Sequence, residues 1–386
     1  MRIKKILRLF LIILLVPVLI FSKFYQIGIF ADDDVDSFEM QSYVLMEAST
    51  GYVVSSRDEY KKVPMGAVNK LMTALIAVEK LNDGIFEYDT ELTASLNAHN
   101  AGGAVIWLDN GEKITVSELF KGLLIGNAND AAIVFAEEIS GDTQKFVSLM
   151  NERAGELGMK DTHFTSCANH DDENQYTTAH DTALLAAELL KYEELYEIMT
   201  TRIEYIRDGK TELVNENTMV NRYNGITGMK ASHTELSGYS VIASASRNSE
   251  SYIAVVLGCT DSKDRFTVAG KLLDKGFLFY KTVVPGFSEE YMKPLKVKKG
   301  TDAAVEVKVE KFPMLVVSKS HESELSAVIF LPGYVKAPVR QGQRVGEVAF
   351  YCGETLLYET PLITKNAVEK NTFLKSLLKL MGKMFK

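Results

Sequence analysis

Met65-Gly66-Ala67-Val68-Asn69-Lys70-Leu71-Met72-Thr73-Ala74-Leu75 is the stretch on which the reading of this chain turns. Asn69, or a residue just before it, starts a helix in which Leu71, Leu75, Val78 and Leu81 recur every three or four residues and line one face. The spacing predicts a half-buried helix with Lys70 in its first turn. Ala67, three residues before that lysine, stands where a nucleophile would be looked for.

Working outward, Ser42 to Glu47 and Tyr52 to Ser56 read as two strands around Ser49-Thr50-Gly51, a turn in which glycine supplies positive φ. Helical patterns cover Val116 to Ile125, Asp130 to Ile139, Gln144 to Leu157 and His180 to Lys191, separated by Gly, Asn and Asp clusters. Two alternating apolar runs then return, Tyr239 to Ala245 and Tyr252 to Gly258, joined by Arg247-Asn248-Ser249-Glu250, and a helix near Arg265 to Tyr280 follows. Strands at both ends of a helical insert predict one α/β domain over residues 32–284 whose terminal segments share a sheet.

Around Val284-Pro285-Gly286 the pattern changes. Short alternating runs such as Ala304 to Val309, Leu315 to Val317, Ala327 to Phe330 and Gly346 to Tyr351, with Pro and Gly turns between, predict a small all-β domain over residues 285–365. The tail, residues 366–386, reads as an amphipathic helix. Phe373, Leu374, Leu377, Leu378, Met381, Met384 and Phe385 fall on one side, and Lys375, Lys379, Lys383 and Lys386 fall mostly on the other, the layout of a helix lying on a membrane surface. At the other end, Arg2, Lys4, Lys5 and Arg8 precede the apolar run Leu9 to Phe21, the form of an export signal in residues 1–31. Cleavage after Ala31 is expected, with retention as an N-terminal anchor as the alternative, and the protein is expected outside the cytoplasm.

With 386 residues, 46% of them hydrophobic, the chain has material for two domains and their cores. Its net charge of -8 and the lack of a compact basic run inside the globular part give no field for nucleic acid. Cys167, Cys259 and Cys352 are odd in number and far apart, so neither a disulfide framework nor a CxxC site is indicated. His163, Cys167, His170, Asp171, Asp172 and His180 crowd one stretch, but their spacing matches no metal site and reads as ordinary loop polarity, so no metal or cofactor is expected.

Three clusters stand at intervals that local structure does not require: Lys70 in its helix, Asn127-Ala128-Asn129 between two helices, and Lys230-Ala231-Ser232 before the late hairpin. Singly they read as a solvated charge, a helix cap and a common tripeptide. Together, and in this order, they resemble the motifs of the penicillin-binding D-alanyl-D-alanine carboxypeptidases of the penicillin-binding protein 5 type. The resemblance extends over Glu47-Ala48-Ser49-Thr50-Gly51, Lys70-Leu71-Met72-Thr73-Ala74-Leu75, Leu123 to Ala132, Leu157 to Phe164, Tyr176 to Asp181 and Gly238-Tyr239. It continues into Lys336-Ala337-Pro338-Val339 and Gly342-Gln343-Arg344-Val345-Gly346, almost the whole chain.

That resemblance implies a serine β-lactamase/transpeptidase-like domain, an antiparallel sheet with a helical insert, followed by the β domain and the membrane-associating helix. It also implies a Ser-x-x-Lys motif in which serine attacks the peptide carbonyl and lysine takes its proton. Here the serine position is Ala67, with Lys70 retained. The family's second motif, Ser-x-Asn, becomes Asn127-Ala128-Asn129, in which an amide stands for the proton-passing hydroxyl while Asn129 is kept. In the third, Lys-Thr-Gly, Lys230 remains to attract a terminal carboxylate, Ala231 lacks the hydroxyl, and Ser232 adds a side chain. Ser166-Cys167-Ala168-Asn169-His170 also departs from the family's usual pattern. The expectation is a pseudoenzyme of the cell envelope that binds a peptidoglycan stem peptide or an envelope protein partner through Lys230, Asn129 and a further cation at Arg247. Two alternatives are residual carboxypeptidase activity, with Lys70 as general base for direct water attack, and a scaffold that spaces the β domain from the membrane.

Overall fold

A computed structural model describes residues 33–66, 68–168, 172–285 and 292–372. The chain divides after Asp36 into two units, and the first contributes only the helical turn Asp33–Asp36. The export signal or anchor expected in residues 1–31 lies outside the described residues, as do Ala67 and the tail from Phe373 onward.

The second unit is built on a five-stranded antiparallel sheet of β1 (Ser42–Glu47), β2 (Val53–Arg57), β3 (Ile226–Thr234), β4 (Gly238–Arg247) and β5 (Glu250–Cys259). Its order is β2-β1-β5-β4-β3, so early and late strands meet at the β1/β5 pair, with Val44 opposite Val255. The β4/β5 hairpin closes on Arg247 and Glu250 through Asn248 and Ser249, whose φ angles of 51° and 66° are the two positive values a tight hairpin turn of matching twist requires.

Both faces of this sheet are covered, which is why β1 is buried at every position. Side chains alternate across a strand, and Val44, Met46, Ile242, Ile253, Val255 and Leu257 join the helical core on one face. On the other lies α6 (Asp264–Phe279), where Phe277 meets the ring of Tyr252 edge-on at 5.0 Å. Gly276 permits that approach, because a Cβ there would lie 2.8 Å from the Tyr252 ring.

The helical insert comprises α1 (Val68–Asn82), α2 (Val116–Leu124), α3 (Asn129–Ser140), α4 (Thr143–Glu156) and α5 (Ala179–Leu189). Starts are set by local chemistry: Thr115, Asp142 and Thr178 each accept a hydrogen bond from the backbone N–H three residues on, capping α2, α4 and α5. The expectation of a half-buried α1 is corrected. Every residue from Val68 to Val78 is buried, including Asn69, Lys70 and Thr73, because α1 is the hub around which α2, α3 and α5 pack. Those polar side chains find partners there: Asn69 Nδ2 donates to the Ala168 carbonyl at 2.6 Å, and Thr73 Oγ1 donates to the carbonyls of Asn69 and Cys167.

Beyond α6 the chain enters the β domain directly. Tyr280–Val283 pairs with Leu315–Ser318, and β6 (Val307–Val309), β7 (Leu325–Phe330), β8 (Arg344–Cys352) and β9 (Thr355–Thr364) form a four-stranded sheet in the order β6-β9-β8-β7. Val297, Val317, Val348, Phe350 and Leu362 are among its core. Residues 366–372 do not begin a helix: Val368 bridges Val339 and is buried in this core, and Lys370 bridges Gly300. The β domain thus reaches past Lys365, the boundary the sequence pattern suggests.

Candidate active site

Lys70 enters from the first turn of α1, and its Nζ donates to Asn127 Oδ1 at 3.1 Å. Asn127 occupies the turn between α2 and α3 with φ at 59°, a left-handed conformation that asparagine tolerates better than most residues. The turn is tight because Gly126 carries no Cβ, which would lie 2.8 Å from Leu213 Cδ2 and 3.0 Å from the Gly122 carbonyl oxygen.

Asn129 and Asp130 begin α3 and anchor the loop before α2. Asn129 Nδ2 donates to the Gly102 carbonyl at 2.9 Å, and its backbone N–H donates to the Ala104 carbonyl. The buried Asp130 carboxylate accepts from the N–H groups of Ile106, Leu108 and Ala131. Burial raises its pKa, and those backbone donors oppose the rise.

Lys230 comes from β3. Its Nζ donates to the carbonyls of Leu123 and Leu124, at 3.0 Å each, at the end of α2 and three residues from Asn127. Cations favour a helix C-terminus, where carbonyls lack intrahelical donors. Ser232, two residues further along β3, reaches the start of α1: a Cβ on Gly66, next to Ala67, would lie 3.0 Å from Ser232 Oγ. Ala231 is buried opposite Val241 and offers only a methyl group.

Two buried lysines share this site. Burial, followed by the charge of Lys230, holds the Lys70 amine well below the ordinary lysine value and so favours its neutral form. Burial lowers Lys230 to about 8, which leaves it mainly an ammonium at neutral pH. The arrangement supplies an amine that can accept a proton, an ammonium that can hold an anion, and amides that orient. Asn127 has no transferable O–H proton.

Arg247 is not brought to this cluster. It closes the β4/β5 hairpin five residues beyond Ile242, the partner of Lys230, which is roughly 17 Å along a strand. There Nε donates to the Asn224 carbonyl and the guanidinium lies over the rings of Tyr223 and Phe277. The cation that does reach the site strand is Arg265, in the first turn of α6. Its guanidinium donates to the carbonyls of Ser232 and Ser240, fixing β3 beside β4. In the sequence it looked like any helix arginine; the one available sign was its place in a helix following the late strands.

The histidines and acids of the 163–180 stretch find other partners. The His163 ring faces Tyr176, His180 faces Tyr60, and Asp172 accepts from Thr165 Oγ1 and the Asn174 N–H; His170 and Asp171 lie outside the described residues. Cys167 is buried, which pushes its thiol up to about 12. Among the described residues no group of three or more His, Cys, Asp or Glu side chains is placed to hold a metal.

The sheet closed by early and late strands brings a lysine at a helix start, an Asn-x-Asn turn and a lysine on a strand together around the end of α2, and over this fold the chain is similar to proteins of one class, the penicillin-binding proteins. A family model described as D-alanyl-D-alanine carboxypeptidase matches residues 31–261, and one described as penicillin-binding protein 5, C-terminal domain, matches residues 280–370. The chain belongs to the D-alanyl-D-alanine carboxypeptidase family, peptidase S11. It is 33% identical over 349 residues to the D-alanyl-D-alanine carboxypeptidase DacF of Bacillus subtilis, covering 89% of this chain and 90% of the relative. The Escherichia coli D-alanyl-D-alanine carboxypeptidase DacD is 27% identical over 343 residues, 87% of this chain and 88% of its own. Among solved structures, penicillin binding protein 5 from Haemophilus influenzae superposes with a TM-score of 0.78 at 26% identity, covering 86% of this chain and 98% of that one.

Proposed function

We propose that this protein is a catalytically silent member of its family that binds peptidoglycan stem peptides ending in D-Ala-D-Ala without cleaving them, at the outer face of the cell membrane. The observation that carries the reading is Ala67, three residues before Lys70, which leaves the lysine without a hydroxyl to deprotonate. Removing the nucleophile of a cooperating catalytic unit costs about 10⁶-fold in rate. Asn127 in contact with Lys70, and a methyl at Ala231, extend the loss to the relay and the strand. What is kept supports binding: the Lys230 ammonium as receptor for a terminal carboxylate, and Asn129 as an orienting amide. The basic-apolar N-terminus and the lysine-flanked apolar tail support export and membrane attachment.

Calorimetry on the full chain in detergent with a diacetyl-Lys-D-Ala-D-Ala peptide tests the binding. Saturable binding that Lys230→Ala abolishes, with no release of D-alanine, is expected. Released D-alanine would favour a residual carboxypeptidase, and no binding at all would favour a scaffold or a protein-partner role.

A further inference from the structure

Trp107, the one tryptophan of the chain, stands in the loop between the helical turn Leu96–His99 and the strand Lys113–Thr115, with its side chain 74% exposed and its φ at 56°. That backbone region is costly for a bulky residue and persists only where the surroundings over-determine it. Here they do. The buried Asp130 carboxylate accepts from the N–H groups on either side, Ile106 at 3.0 Å and Leu108 at 3.2 Å, and Arg207 Nη1 donates to the carbonyls of Ile106 at 3.0 Å and Trp107 at 3.3 Å. Glu112 holds that guanidinium in turn, 2.7 Å from Nε. Ile106 and Leu108 are buried, Ile106 against Gly122 of α2, so the indole between them is turned to solvent.

The same loop is tied to the site. Asn129, next to Asp130 at the start of α3, donates to the carbonyls of Gly102 and Ala104, and a Cβ on Gly103 would lie 2.8 Å from Asn129 Nδ2. One helix start therefore fixes both the orienting amide of the site and the indole, so a ligand lying along Asn129 has Trp107 at a set separation. A ring held out in water adds nothing to the core; what it offers is its face. Its neighbours at the surface are Asp109 and Asn110, both exposed, beside the Arg207–Glu112 pair. A membrane or a protein anchor asks for a wider apolar surround. A single ring with a polar border matches a pyranose, which has an apolar C–H face to lay on the negative face of the indole and hydroxyls at its rim to hydrogen-bond the border.

We propose that Trp107 is a sugar-binding residue: its indole stacks on a pyranose ring of the glycan strand that carries the stem peptide, while the peptide itself lies toward Asn129 and Lys230. The inference deepens the stem-peptide reading above, on which its choice of sugar rests, and adds a contact outside the peptide. The protein then distinguishes a stem peptide still attached to its glycan from one that has been released.

The test titrates the full chain in detergent with a disaccharide-pentapeptide of N-acetylglucosamine and N-acetylmuramic acid ending in D-Ala-D-Ala, with the same pentapeptide lacking sugars, and with a β-linked N-acetylglucosamine tetramer. Because the chain has one tryptophan, indole emission reports this residue alone. The sugar-bearing peptide is expected to bind about threefold to tenfold more tightly than the bare one, the span of a single aromatic ring contact, and only sugar-bearing ligands should shift the emission. Trp107→Gly suits the positive φ, so the loop keeps its course; it should erase the preference while binding the bare pentapeptide as before, which also shows that the variant is folded. Equal affinity for the two peptides, or a preference that survives Trp107→Gly, would overturn the proposal and leave the stem-peptide reading in place. If neither peptide binds, that reading falls and the tetramer decides this one: a saturable emission shift supports it, and no shift overturns it. Emission already shifted by the detergent and moved by no sugar would assign the indole to the membrane surface and overturn the proposal.

Discussion

Lys70 Nζ donates to Asn127 Oδ1 across 3.1 Å, so the buried amine at the start of α1 is held by an amide from the α2–α3 turn. The contact joins two of the positions at which the sequence resembles the family's motifs. An amide oxygen can orient the lysine, but it cannot pass on a proton as a hydroxyl does.

Restoring the nucleophile alone should therefore fail. Ala67→Ser is expected to show neither D-alanine release nor penicillin acylation, because Asn127, Ala231 and Ser232 stay as they are. Turnover measured in that single variant would show that Lys70 by itself activates a serine in this setting.

Stability should carry the signature of two buried lysines. Both have pKa values below those of the unfolded chain, so as pH falls from about 10.5 the unfolded state takes up protons that the folded state does not, and stability falls. For Lys230 this loss is complete by about pH 8, and for Lys70 it continues lower. Lys70→Met is expected to be stabilising at neutral pH, because it removes the cost of keeping this amine from its unfolded-state protonation while filling a similar volume. Denaturant melts at several pH values should show its advantage over the native chain growing as pH falls.

The same titration governs the ligand. Lys230 loses its positive charge as pH rises through about 8, so affinity for a peptide carboxylate should drop across that interval, and Lys230→Ala should remove the pH dependence along with most of the affinity. Calorimetry at pH 7 and pH 9 checks both.

Packing under the sheet offers a prediction independent of the site. A methyl on Gly276 would meet the Tyr252 ring at 2.8 Å, and both belong to a face held between β5 and α6. Gly276→Ala should destabilise the chain by about 1–3 kcal/mol through overpacking. Thermal melts measure this directly.

Much of the architecture was legible because apolar periodicity is a direct record of burial. The helices from Val116 to Leu189, the β4/β5 hairpin and α6 all fall where their patterns predict, within the few residues by which element ends shift. The burial of α1 from Val68 to Val78 was not legible. Lys70 reads as a solvated charge when taken alone, and the Ala168 and Cys167 carbonyls and Asn127, which pair with Asn69, Thr73 and Lys70, lie far away in sequence. Strand β9 was hidden by Pro361 and by alternation that mixes polar with apolar residues. At the site, the resemblance singled out Lys70, Asn127, Asn129 and Lys230, which the fold gathers around the end of α2. Arg247 showed the limit of reading charge along one strand: at the hairpin end it engages Tyr223, Phe277 and Asn224, whereas Arg265 arrives from a helix. Those placements depend on tertiary contacts that no local spacing records.

The proposed catalytic silence rests on Ala67 standing where a serine nucleophile is expected, and an acyl-enzyme cannot form without a nucleophile. Incubating the full chain with a fluorescent penicillin, then resolving it under denaturing conditions, tests this most directly. No covalently labelled band is predicted, even at concentrations and times that saturate an active family member. A labelled band that unlabelled penicillin competes away would contradict the account.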